Sequence, residues 1–168
     1  VTPDTFHDHF EPFADWKDQT KVYGAVNQIL YLPAAYLGND DVFLTLLLYK
    51  ATAAAFGVGC IWILLRLTKD LSEKQQSIVL QTILWSPLLL LETFGAGHND
   101  IIMIFFLLVS LALWKEQRWA LAGLFLGLSV QIKLIPILMF AFFALSLLQK
   151  KNLPALIRYG TAFLGVHI

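Results

Sequence analysis

Residues 1–22 are polar and acidic: Asp4, Asp8, Glu11, Asp15 and Asp18 stand against Lys17 and Lys21, and Pro3 and Pro12 break any long helix. A solvated loop is expected there. Val22, Val26, Ile29, Leu30, Pro33 and Leu37 then recur at helical spacing, with Gly24, Asn27 and Gln28 off the stripe. This stretch is too short to cross about 30 Å of hydrocarbon, and Pro33 interrupts it. Residues 23–37 therefore read as an interfacial amphipathic helix.

Gly38-Asn39-Asp40-Asp41 supplies a turn and an N-cap, and the apolar runs that follow are longer. Residues 42–65 form a full-length span containing Lys50. Residues 76–94 form a second span, bent at Pro87, and 101–114 a third. Trp114 and Trp119 flank the short turn Lys115–Arg118 as an aromatic belt. Residues 119–148 are harder to place, because a helix of that length would extend about 45 Å at 1.5 Å per residue. Gln131-Ile132-Lys133-Leu134-Ile135-Pro136 interrupts its middle. A broken, re-entrant helix pair is the expectation, followed at 154–168 by the start of a further, truncated transmembrane helix. Non-helical backbone at such depth is tolerated where protein or a watery cavity covers it. The fold class that results is all-α, a polytopic transmembrane helical bundle.

Composition agrees with lipid as the solvent. Of 168 residues, 58% are hydrophobic and 14% charged, with a mean hydropathy of +0.67; soluble domains carry about a quarter charged residues. The charge balance of 12 basic against 12 acidic residues leaves no basic surplus for nucleic acid. The lone Cys60 excludes a disulfide framework or thiolate zinc site. With a start at Val1 and a stop in an apolar stretch, the chain reads as an internal piece of a longer membrane protein. Of the 12 basic residues, 3 lie in 66–74, 2 in 115–118, 3 in 150–158, 2 in the N-terminal loop and 2 within spans, and none lies in 93–100. By the positive-inside rule, the N-terminal loop and the His98 corner face outward, and a broken 119–148 segment returns 150–158 to the cytoplasm. Lys133 then sits roughly 21 Å above the inner face and Lys50 roughly 12 Å below the outer end of its span.

Gly95-Ala96-Gly97-His98-Asn99-Asp100 is the sharpest local feature. Two glycines permit a tight turn or close approach of a ligand. His98, Asn99 and Asp100 offer donors and acceptors where a plain turn needs one N-cap. Lys133, before Pro136, either binds an anion such as a lipid phosphate or pairs with Glu92 or Asp100. Lys50 is shallow enough to snorkel outward, with Glu92 a further possible partner. His7-Asp8-His9 with Asp4 and Glu11 matches no defined metal spacing and reads as solvated loop, so no metal is expected. Gly123-x-x-x-Gly127 is a helix-contact pattern. No P-loop or dinucleotide fingerprint is present.

Trp16…Tyr23-Gly24, a span with Lys50, Trp85-Ser86-Pro87-Leu88-Leu89-Leu90-Leu91-Glu92, Gly97-His98-Asn99-Asp100 and Gly123…Gly127-Leu128…Lys133-Leu134-x-Pro136 follow one another in an order that resembles the GT-C superfamily of membrane glycosyltransferases. The similarity is nearest to polyprenyl-phosphate-mannose-dependent mannosyltransferases, glycosyltransferase family 87 and relatives, and covers most of the chain from Trp16. The family pattern has Tyr-Gly-Pro where this chain has Tyr23-Gly24-Ala25. The resemblance implies transfer of a hexose, mannose in the nearest relatives, from a polyprenyl-phosphate carrier to an extracytoplasmic glycan or lipid acceptor. It implies no cofactor beyond that donor, and a multi-pass protein of the cell membrane with an outward-facing site. The catalytic base is expected in the first outward loop, either upstream of Val1 or among Asp4, Asp8, Glu11 and Asp15. His98, Asn99, Asp100, Lys133 and Glu92 would bind substrate. The competing reading is a secondary transporter or proton-coupled channel, with Lys50, Glu92, Asp100 and Lys133 along an ion path.

Overall fold

The computed structural model describes residues 24–39 and 41–167. The acidic loop, with Asp4, Asp8, Glu11 and Asp15, lies outside the described residues. Among the described residues all regular structure is helical: α1 (Ala25–Gly38), α2 (Val42–Leu67), α3 (Glu73–Leu84), the one-turn α4 (Pro87–Leu89), a π-helical turn (Leu90–Ala96), α5 (Asp100–Lys115), α6 (Trp119–Ile132), α7 (Ile137–Gln149) and α8 (Leu153–Leu164).

Helix α1 presents much of its apolar stripe outward. Its buried residues are Asn27, Ala34 and Gly38, whereas Ile29, Leu32, Tyr36 and Leu37 point outward at 62–84% exposure. Small residues let the backbones of α1 and α2 approach: Gly38 abuts Thr45, leaving no room for a Cβ. Asp41 then caps α2 by accepting from the Leu44 amide at 2.9 Å. Helix α2 is the one helix among the described residues long and apolar enough to cross a membrane. Its 26 residues reach about 39 Å. It buries Thr45, Ala53, Gly57, Cys60 and Ile63 and exposes Phe43, Leu47, Val58 and Trp62.

The run 76–94 does not form a single bent span. Helix α3 opens on a capping box between Ser72 and Gln75 and ends at Leu84. Proline lacks an amide donor and disfavours helix at the residue before it, so Pro87 starts a new helix, capped by Ser86. The π-helical turn closes at Gly97, whose φ of 76° is the left-handed conformation glycine tolerates.

Residues 119–148 form two helices rather than one. Lys133 is extended, and Pro136 precedes the first turn of α7. Gly123 meets the Tyr159 carbonyl, and Gly127 meets Phe163 and Val166. The paired positions advance together, so α6 and α8 run parallel and α7 runs back between them. The turn at 150–152 therefore returns to the end of the bundle that carries 116–118. The 68–72 loop lies there too, since Lys115 Nζ donates to Asp70 Oδ2 at 2.7 Å. That hydrogen bond, together with the lysine charge, holds the Asp70 carboxyl below its ordinary range.

Helix α6 is the hub. Ser110 Oγ donates to the Ala122 carbonyl and Ser129 Oγ to the Met103 carbonyl, both at 2.8 Å, which ties α5 to α6. Trp114 stacks on Phe143 at 4.1 Å, and Phe140 stacks on Tyr159 at 5.2 Å, filling the space between α5, α7 and α8. Gly123→Leu should wedge α6 from α8 and cost about 1–3 kcal/mol, as overpacking does. Gly160→Ala, which meets open space, should leave the protein as stable or slightly more so. Thermal unfolding of both variants in detergent checks the contrast.

Candidate functional site

The 95–99 corner, the start of α5, the α6–α7 break and helix α1 converge at the end of the bundle opposite the basic loops. Asn99 occupies the N-cap position of α5, yet its side chain does not cap. The Asn99 carbonyl accepts from the Ile102 and Met103 amides, while its side-chain amide donates to Asn27 Oδ1 at 3.1 Å. Both residues are buried. The Asn99 side chain thus fastens the corner to α1 instead of capping α5. Asn27, off the apolar stripe, joins this candidate site without having been picked out from the sequence. A polar side chain in an otherwise apolar helix was the available signal.

Asp100 stands in the first turn of α5, where the helix dipole favours a carboxylate. Lys133 Nζ lies 2.5 Å from Asp100 Oδ1, with the two side chains 31% and 40% exposed. The extended backbone at Lys133 aims its ammonium across from α6 to α5. Of the two partners open to Lys133 from sequence, the fold supplies Asp100. Glu92 pairs instead with His98, Oε2 to Nε2 at 3.2 Å, with both side chains about half exposed. Lys50 is exposed, forms no ion pair with Glu92, and lays its stem along Gly97, its Cγ against the glycine face. Nearby, Gln131 donates to the Val166 carbonyl at 3.3 Å and lies 2.9 Å from His167 Nδ1. Among the described residues no three His, Cys, Asp or Glu side chains gather as a metal site.

Two cavities flank the corner. The larger, about 760 Å³, is a largely apolar groove between α2, α3 and α5, with Leu64, Ile83, Ile104 and Leu108 in its walls. Glu92, His98 and Asp100 line it as well. The smaller, about 520 Å³, is lined by Asn27, Tyr31, Tyr49, Gly97, His98 and Asn99, among others. His98 borders both. The first can hold a long apolar chain with a polar group at the corner, and the second a small polar ligand.

The Asn27–Asn99 pair makes a double-mutant cycle informative. Asn99→Leu alone should cost about 1–3 kcal/mol, because Asn27 is left buried without its partner. Asn27→Leu with Asn99→Leu should cost less than the sum of the single changes, read from detergent-solubilised unfolding.

No curated protein and no solved structure matches the chain. Residues 2–149 match a family described as alpha-(1->6)-mannopyranosyltransferase, N-terminal domain. That match takes in the acidic loop, the corner, Lys133 and the α6–α7 break, so the chain belongs to this mannosyltransferase family, the MptA_B family, and is a glycosyltransferase domain.

Proposed function

We propose that the chain is the membrane-embedded part of a multi-pass mannosyltransferase. It takes mannose from a polyprenyl-phosphate carrier and passes it to a hydroxyl of a glycan or glycolipid on the extracytoplasmic side. One observation carries this reading: the apolar groove runs to a cluster of ionisable groups, Glu92, His98 and Asp100, with Lys133 joined to Asp100. An isoprenoid chain needs the groove, and a sugar phosphate needs the cluster. In the reaction the acceptor oxygen bonds to the anomeric carbon as the bond from that carbon to the phosphate oxygen breaks. The bonding electron pair leaves on the lipid phosphate, the configuration inverts, and the acceptor proton passes to a carboxylate. Lys133 has three N–H donors, so it can hold Asp100 and still meet phosphate charge as it develops. His98 adds a further donor, and Asp100 and Glu92 orient sugar hydroxyls or hold their cationic partners.

The membrane orientation has independent support. Large apolar side chains, among them Leu32, Phe43, Trp62, Leu138 and Phe142, face outward at 56–77% exposure, as expected where lipid surrounds the helices. The return of α7 brings Lys150 and Lys151 to the end that carries Lys115 and Arg118, consistent with a cytoplasmic face. The ion-path alternative has no comparable observation in its favour, since the charged groups gather at one end.

Cysteines at Ala96 and Arg118 of the full-length protein should label with impermeant reagents from opposite faces of the membrane; labelling from one face would overturn the orientation. In membranes supplied with radiolabelled polyprenyl-phosphate mannose, Lys133→Ala and Asp100→Ala should each lower kcat/KM by about 10²-fold or more. Membrane insertion should remain intact. Wild-type transfer by both variants would defeat the assignment.

A further inference from the structure

The smaller cavity has the lining of a sugar site rather than a phosphate or lipid site. Tyr31 and Tyr49 meet edge to face at 4.9 Å, giving one wall rigid aromatic surface of the kind that packs on the apolar face of a pyranose. The Asn27 and Asn99 amides form part of another wall, and their mutual hydrogen bond uses only one donor and one acceptor of the set they carry. The Tyr31 hydroxyl is buried with no hydrogen-bond partner among the described residues. An orphaned buried hydroxyl costs about 1–3 kcal/mol, so it marks a place where a ligand group can improve the fold. Among the described residues no lysine or arginine lines the cavity, whereas a phosphate calls for cations. Its volume of about 520 Å³ falls within the range of ligand sites.

Placement assigns the sugar. The corner divides its residues: Asn99 and Gly97 line the smaller cavity, Glu92 and Asp100 the apolar groove, and His98 both. A donor whose lipid lies in the groove has its phosphate end at His98, and whatever fills the cavity approaches the same point from the other side. We propose that this cavity is the acceptor subsite and that it holds the terminal pyranose of a mannosyl acceptor through Tyr31, Tyr49 and the Asn27–Asn99 pair. The assignment rests on the mannosyltransferase reading and extends it to the second substrate. The acceptor hydroxyl then meets the anomeric carbon beside His98, away from bulk lipid.

The test uses the full-length protein in detergent, with α-1,6-mannobiose as the acceptor probe and radiolabelled polyprenyl-phosphate mannose as donor. Two variants are compared with the native chain: Tyr49→Ala, which removes aromatic surface, and Ala35→Trp, which fills the cavity from an exposed position on α1. Saturation-transfer NMR should detect mannobiose on the native protein without donor and lose the signal in both variants. In transfer assays the acceptor KM should rise about tenfold or more while the donor KM stays within about twofold. Leu64→Trp, in the groove, should do the reverse. Unchanged mannobiose binding in Ala35→Trp, or a rise confined to the donor KM, would overturn the subsite. Mannobiose binding that is lost in the variants, without transfer from the polyprenyl-phosphate donor, would uphold the subsite and overturn the donor reading.

Discussion

Close approach of backbones along α6 is the constraint from which the rest of the structure follows. Gly123 and Gly127 put α8 against one face, with carbonyls of α8 where side chains would stand. Ala122 and Ser129 put α5 against another, with serine hydroxyls of α5 and α6 bridging to the facing backbone. In the membrane setting proposed above there is little hydrophobic drive between helices, so packing and interhelical hydrogen bonds would decide association. With α5 and α8 fixed, α7 can only fold back, and the aromatic side chains of α5, α7 and α8 fill the remaining space. The end of α6 is thereby held beside the start of α5.

That juxtaposition produces the site. Lys133 leaves α6 where helical hydrogen bonding stops, and Asp100 enters α5 where the first amides are still unpaired. Neither charge is fully exposed, and an unpaired ammonium in a low-dielectric region is costly. The ion pair removes that cost and locks the α6 end to the corner. Breaking one partner of such a pair harms more than replacing both, because the survivor is left uncompensated. The pair also fixes the geometry of the corner between two differently lined cavities, and His98 is the residue both share. The reaction proposed above brings an apolar carrier and a polar acceptor to one atom, and two differently lined cavities meeting at one side chain are what it calls for.

Local features were legible from the residues alone where the cause is local. Gly123-x-x-x-Gly127 marks a packing face because glycine lacks a side chain, and Gly97 marks a turn because it tolerates positive φ. Pro87 and Pro136 mark interruptions because proline lacks a donor. The extent of interruption at Pro87 was misjudged: a bend was expected, and a new start capped by Ser86 is found. Which face of α1 is buried was not legible from its spacing: Asn27, Ala34 and Gly38 turn inward, and Ile29, Leu32, Tyr36 and Leu37 turn outward.

The sequence by itself determined the all-helical class, the polar corner at 95–100, the polar break at Gln131–Pro136 and the mannosyltransferase resemblance. These depend on composition, on spacing and on backbone preferences of single residues. Only the tertiary structure decided that Lys133 meets Asp100 rather than Glu92, that Glu92 meets His98 rather than Lys50, and that Asn99 meets Asn27 across 72 positions of chain. A side chain with several chemically equivalent partners carries no preference in its own identity. The choice is made by which helices can approach closely enough, and here that was set by the glycines and serines of α6 and its neighbours.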